Sequence, residues 1–148
     1  MSKKKKIGIV ILVILVVIQF IHPKKNENTE ILATDITKVA SVPEEVLQVL
    51  KTSCYDCHSN STAYPWYNNI QPVAWWLNKH VNNGKKHLNF SEFGNYDTKK
   101  ANHKLDEIVE TLEKNEMPLF SYVIVHQNAK LSDAQKKLVM DWAKASMK

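Results

Sequence analysis

A chain of 148 residues holds one domain and little more, and 44% hydrophobic with 24% charged residues excludes both a wholly disordered protein and a multi-span membrane protein. The net charge of +5 is local: Lys3, Lys4, Lys5, Lys6, Lys24 and Lys25 occupy the first 25 residues with no acid among them, so the remainder sets 14 lysines against 15 acids for a net −1. That leaves no nucleic-acid footprint on the folded part, and with no arginine anywhere the chain lacks a bidentate guanidinium clamp.

Behind the four leading lysines runs an apolar stretch, Ile7 to Ile21, broken only by Gly8 and Gln19. A helix of these 15 residues would reach roughly 22 Å, short of the ~30 Å hydrocarbon core of a bilayer. Lysines snorkelling at both ends would supply the difference. A cleaved signal peptide needs small residues at its cleavage site, and Phe20-Ile21-His22-Pro23-Lys24-Lys25 offers none. The expectation is an uncleaved signal-anchor over residues 1–25, a single transmembrane helix with its lysines inside and the rest of the chain exported. Residues 26–40 then read as a polar tether, and residues 41–148 as the folded domain.

Within the domain the pattern is helical. Ser41-Val42-Pro43-Glu44 predicts a helix start, with Ser and Glu three apart as a capping box. Val46, Leu47 and Leu50 then form an apolar stripe leading to Cys54. A second helix is predicted from Val73 to Asn82, ended by Gly84. A third carries Leu105, Ile108, Val109 and Leu112 and stops before Pro118. The last opens on a Ser132/Gln135 capping box and presents Leu138, Val139 and Trp142 on one face. Tyr122 to Val125 is the nearest approach to a strand, and it is short. The fold class is all-α.

The chemistry centres on Cys54-Tyr55-Asp56-Cys57-His58, the C-x-x-C-H signature of c-type haem attachment. Two thiols three residues apart on one turn reach the two vinyl groups of a single porphyrin, and the adjacent His58 turns its imidazole toward the iron. The motif uses the only two cysteines of the chain. A structural disulfide would close too small a loop to add much stability. A redox dithiol wants a βαβ setting, and a zinc site needs two further ligands, for which His80 and His87 are wrongly spaced. None of these accounts for the histidine after the second cysteine.

A sixth iron ligand is sought at Met117, which precedes Pro118 on a loop between the third and last helices. A thioether opposite His58 raises the potential and suits electron transfer. The rivals are His80, His87, His103 and His126, each of which singly reads more simply as a surface or hydrogen-bonding histidine; Met140 reads as core. Tyr64, Trp66, Tyr67, Trp75 and Trp76 read most simply as core as well. In the absence of arginine, Trp, Tyr, Asn and Lys must supply any donors to haem propionates.

These residues resemble the small bacterial haem-binding domain family of exported proteins with a C-x-x-C-H motif. The resemblance runs from about Ser41 to Ala145. It rests on Cys54, Cys57, His58 and Ser59, on Trp66-Tyr67, Pro72, Val81 and Gly84, and on Leu88-Asn89-Phe90-Ser91. Met117-Pro118, Tyr122, His126, Leu131-Ser132 and Trp142 continue the pattern, while Phe93 stands where the family more often has Trp. The resemblance implies covalent haem at Cys54 and Cys57 with His58 as proximal ligand, and similarity to cytochromes c suggests Met117 as distal ligand.

The expectation is therefore a cytochrome c-like helical domain around one covalent haem c and its iron. It would be anchored in a bacterial inner membrane and would carry electrons on the periplasmic side between unidentified redox proteins, as a carrier rather than an enzyme. The alternative is a haem-based sensor or peroxidase-like enzyme with an open or displaceable distal position.

Overall fold

The computed structural model describes residues 2–148, so Met1, where the expected anchor begins, lies outside the described residues. Among the described residues eight α-helices follow in order: α1 (Lys3–Val17), α2 (Ile36–Val39), α3 (Glu44–Ser53), α4 (Tyr55–His58), α5 (Val73–His87), α6 (Thr98–Glu113), α7 (Phe120–Val125) and α8 (Asp133–Ala145). Among the described residues there is no strand, only an isolated antiparallel bridge between Glu27 and Ser61. The all-α expectation holds.

The expected membrane helix does not. Of the 15 residues of α1, four are the lysines, which leaves 11 without charge, or about 16 Å of helix. Among the described residues no helix is long and apolar enough to cross a membrane. That overturns the transmembrane anchor, and with it the single-pass inner-membrane placement with a periplasmic domain. The apolar run is cut short because its end is claimed by the domain. After a 3-10 turn over Ile18–Phe20, Gln19 accepts from the Gln71 N–H (2.9 Å) and donates to the Gln71 carbonyl (3.2 Å). The Trp75 indole N–H then holds the Ile21 carbonyl at 2.9 Å.

Residues 26–40, expected as a tether, also pack onto the domain. Asn28 N–H donates to the Asn60 carbonyl and Thr62 N–H to the Asn26 carbonyl. Asp35 caps α2 by accepting from Thr37 N–H, and Ile36 is fully buried in the core. Polar composition concealed this, because the contacts are backbone pairing, polar side-chain bonds from Asn26 and Thr34, and the buried side chains of Asp35 and Ile36.

The core is the meeting of α3, α6 and α8. Leu105, Ile108, Val109 and Leu112 are all buried, as their spacing requires. The Ser132/Gln135 capping box forms, and Val139 and Trp142 point inward with Leu138 at the margin. At α3 the expected capping box is absent: Pro43 precedes the helix without a side-chain cap, and the Ser41 carbonyl instead accepts the Trp142 indole N–H at 3.0 Å. Glu44 and Glu45 still face the positive helix end. Val49 replaces Leu47 beside Val46 and Leu50 in the buried stripe.

Helix α5 runs through Gly84 to His87 rather than ending there. The glycine serves proximity, not termination. A Cβ at residue 84 would stand 2.4 Å from the Cys57 carbonyl oxygen, so no larger residue lets α5 lie against α4. Gly84→Ala should therefore lower stability even though alanine gains about 1 kcal/mol in a helix. Overpacking costs about 1–3 kcal/mol, and a rigid backbone obstruction belongs at the upper end. Denaturant unfolding measures this, with Gly8→Ala, where nothing lies within 4 Å, expected to cause no loss.

Candidate functional site

Helix α3 breaks at Cys54, whose backbone (φ −127°, ψ −39°) leaves the helical region, and resumes as the single turn α4. The Cys57 and His58 N–H groups both donate to the Cys54 carbonyl, at 3.2 and 3.0 Å. The two cysteines and the histidine are thus distributed around one turn. Asp56, between the cysteines, is held on both sides: its carboxylate accepts from the Tyr122 hydroxyl (2.7 Å) and the Ala63 N–H (2.9 Å). Its carbonyl accepts from Thr62 Oγ1 at 2.6 Å. Asn26 reaches across to donate to the Ser59 carbonyl and Thr62 Oγ1, and accepts from Lys85 Nζ. The segment 26–28 therefore braces the loop that follows the motif.

A cavity of about 400 Å³ opens beside this turn, within the size range of cofactor pockets. Its walls come from the whole fold: Leu50 of α3, His58 of α4, Gly84 of α5, Ile108 and Leu112 of α6, Tyr122 of α7 and Val139 of α8. Cys54, Cys57, His58 and Met117 all line it. Met117 arrives there because α6 ends abruptly. Asn115 adopts a left-handed conformation (φ 57°), Glu116 N–H donates to the Thr111 carbonyl and Asn115 N–H to that of Leu112, the paired bonds of a Schellman ending. The chain then doubles back over the cavity.

His58 Nδ1 lies 3.0 Å from the Leu88 carbonyl. A carbonyl only accepts, so Nδ1 carries the proton and Nε2 keeps its lone pair. Burial pushes the His58 pKa down, outweighing the Leu88 and Gly84 carbonyls that pull it up, and the charge of His87 lowers it further. The neutral imidazole that results, fixed by a backbone carbonyl, is the form that binds a metal. Burial pushes the Cys54 thiol up to about 12, with Cys57 adding to the effect, and the Cys57 thiol up to about 11, with Asp56 adding. Both sulfurs keep their protons at neutral pH, contrary to what a redox dithiol requires.

The remaining histidines divide. His80 and His87 line the cavity from α5, whereas His103 and His126 are outside its walls. His103 pairs with Glu107 at 3.2 Å, and His126 Nε2 is hydrogen-bonded to the Tyr67 hydroxyl at 2.9 Å. Met140 packs against the core. The aromatic residues expected as core are not buried: Trp66, Trp75 and Trp76 are exposed, and Tyr64 and Tyr67 half-buried. Sequence reasoning missed the Leu88 carbonyl, a backbone group without a residue-type signal, and the Asp56–Tyr122 bond, which joins residues 66 positions apart.

The profile of a haem-binding domain family matches residues 13–145 of the chain. The match takes in the 26–40 segment along with the helical domain. Comparison with curated proteins and with solved structures gives no significant match in either.

Tyr55 and Tyr122 make the site sensitive to alkali. Burial raises both phenol pKa values well above the ordinary value, helped by the charge of Asp35 at Tyr55 and by the hydrogen bond and charge of Asp56 at Tyr122. A phenol whose native pKa exceeds its unfolded value of about 10 favours the fold fully below that pH and progressively less above it. Stability should fall as pH rises past about 10. An absorbance titration of the folded protein should ionise fewer than the five tyrosines that titrate in denaturant, and Tyr122→Phe should leave the native titration unchanged.

Proposed function

Because the chain belongs to the haem-binding domain family, we propose that it is a monohaem c-type cytochrome that transfers electrons. One observation carries the reading: Cys54, Cys57, His58 and Met117, from two distant stretches of chain, line a single cavity in which His58 is already oriented by the Leu88 carbonyl. The cavity fits the group, being largely apolar, of cofactor size, and supplied with a neutral imidazole on one wall and a thioether on another.

The chain's own contributions follow from chemistry. Cys54 and Cys57 would hold the group covalently, each thiol adding across one vinyl group with its sulfur on one vinyl carbon and its proton on the other, so that no oxidant would be consumed. His58 Nε2 would bind the iron, with Nδ1–H held by the Leu88 carbonyl to fix the ring and raise its basicity. Met117 would supply the second protein ligand, its soft thioether sulfur favouring the ferrous state. The bound iron would supply one-electron exchange between its ferric and ferrous states.

Two measurements test this. Haem should resist acid–acetone extraction from the wild type and be lost from a Cys54→Ala, Cys57→Ala double variant; haem extracted freely from the wild type defeats covalent attachment. The ferric protein should show the weak red-edge charge-transfer band of sulfur-ligated haem. Met117→Ala should erase that band, lower the potential and admit carbon monoxide rapidly. A wild type that is high-spin and binds carbon monoxide at once would instead favour the sensor or peroxidase-like alternative. An unchanged Met117→Ala spectrum would move the ligand to a histidine, with His80 the first to substitute.

A further inference from the structure

A line of aromatic rings leads from the haem cavity to solvent, and the proposed electron carrier makes no use of it. Tyr122 lines the cavity. Its ring stacks on His126 with centroids 4.4 Å apart and planes 19° from parallel. His126 meets Tyr67 edge-on at 6.5 Å, with Tyr67 Oη 2.9 Å from His126 Nε2. Tyr67 meets Trp66 edge-on at 5.9 Å, and Trp66 is 74% exposed. An indole left in water at such cost in apolar surface, at the end of a continuous ring contact, calls for a role.

The proton acceptors identify it. Tyrosine yields an electron readily only when its phenolic proton has somewhere to go. Tyr122 donates its proton to Asp56 Oδ2 at 2.7 Å, and Tyr67 donates to His126 Nε2 when that ring carries its proton on Nδ1. Asp56 is thus an acceptor in place for Tyr122, and His126 in its Nδ1–H tautomer is one for Tyr67.

We propose that Tyr122, His126, Tyr67 and Trp66 conduct oxidising equivalents from the haem cavity to the surface when a hydroperoxide reacts there, and that Trp66 is the site at which an external one-electron donor is oxidised. This rests on haem occupying the cavity. Hydrogen peroxide takes two electrons and two protons and its O–O bond breaks to give two waters; each electron is supplied by one passage along the line. Tyr122 gives up an electron and passes its proton to Asp56. Tyr67 refills Tyr122, whose proton returns from Asp56, and passes its own proton to His126. Trp66 refills Tyr67, which recovers its proton, and the indole radical is then reduced at the surface by a donor such as ascorbate. The two protons consumed come from solvent. Without arginine to assist O–O cleavage the reaction is slow, so the line protects the site rather than sustaining rapid turnover. Ordinary carrier potentials are too low to oxidise phenol or indole, and the line stays idle in normal electron transfer.

The experiment treats the ferric holoprotein with hydrogen peroxide and reads the product by freeze-quench paramagnetic resonance and by spin-trap adducts mapped by mass spectrometry. The adduct should sit on Trp66. Trp66→Phe, an exposed change that leaves the fold alone, should move the radical to Tyr67. Tyr122→Phe should abolish the Trp66 adduct and make the haem bleach faster, with thermal unfolding checking that the variant is folded. The same set in a Met117→Ala background ensures that peroxide reaches the iron. Adducts at Trp66 that survive Tyr122→Phe, or a radical in that background that never appears at Trp66, overturn the proposal. A wild type whose Soret band is missing defeats the haem reading on which it rests, whereas a normal Soret band with no Trp66 radical in the Met117→Ala background defeats this inference alone.

Discussion

At Gly84 the backbone of α5 passes the motif turn so closely that a Cβ would stand 3.0 Å from the Cys57 Cβ as well as 2.4 Å from its carbonyl oxygen. The site depends on that approach. It brings the end of α5 beside His58, and the carbonyl of Leu88, the residue that caps the helix, becomes the partner of Nδ1. A helix held farther away by a methyl group would carry Leu88 with it and leave a buried Nδ1–H unpaired, at a cost of about 1–3 kcal/mol. The glycine, the carbonyl and the imidazole are one device, in which backbone proximity sets both the direction and the protonation state of a ring.

The chemistry of the cavity walls follows from the same closure. Apolar surroundings keep both thiols protonated and the imidazole neutral, because charge is costly where water is excluded. A reactive dithiol would need the reverse environment. Asp56 is the acidic residue between the two cysteines, and its carboxylate accepts from the Tyr122 hydroxyl and the Ala63 N–H. The motif turn is thereby fixed from three sides: α5 through Gly84, α7 through Tyr122, and the N-terminal segment through Asn26.

How much of this was legible depended on whether residue type or tertiary contact carried the information. The periodic stripes of α6 and α8 were readable because core burial repeats at helical spacing, and so was the Ser132 capping box, a local motif. The motif pentapeptide could be found by its letters alone. The failures share a cause. Gly84 looks like a helix stop in one dimension and is a contact point in three. Ser41 looked like a cap, but its carbonyl was taken by Trp142, 101 residues away. The apolar run from Ile7 suggested a membrane span, yet Gln19 within it is held by Gln71, and hydropathy counts no such bond. Trp66, Trp75 and Trp76 read as core because large aromatics dominate burial in small domains, and chain geometry leaves them outside.

The placement of Met117 shows how far a local signal reaches when two of them coincide. Asn115 is one of the few non-glycine residues that tolerate a left-handed backbone, and its position after α6 makes the Schellman bonds that turn the chain. The turn alone would point the following residues anywhere around the end of the helix. What selects the cavity is the rest of α6: Ile108 and Leu112 face the core and the cavity together, so the face to which the chain returns is already apolar. A thioether, the most adaptable apolar side chain, can line that face without leaving a polar atom unpaired, whereas a histidine at residue 117 would bring a ring nitrogen in need of a partner. The loop thus favours a sulfur at this wall for reasons of packing before any question of iron arises. Packing and proposed ligation ask the same of residue 117.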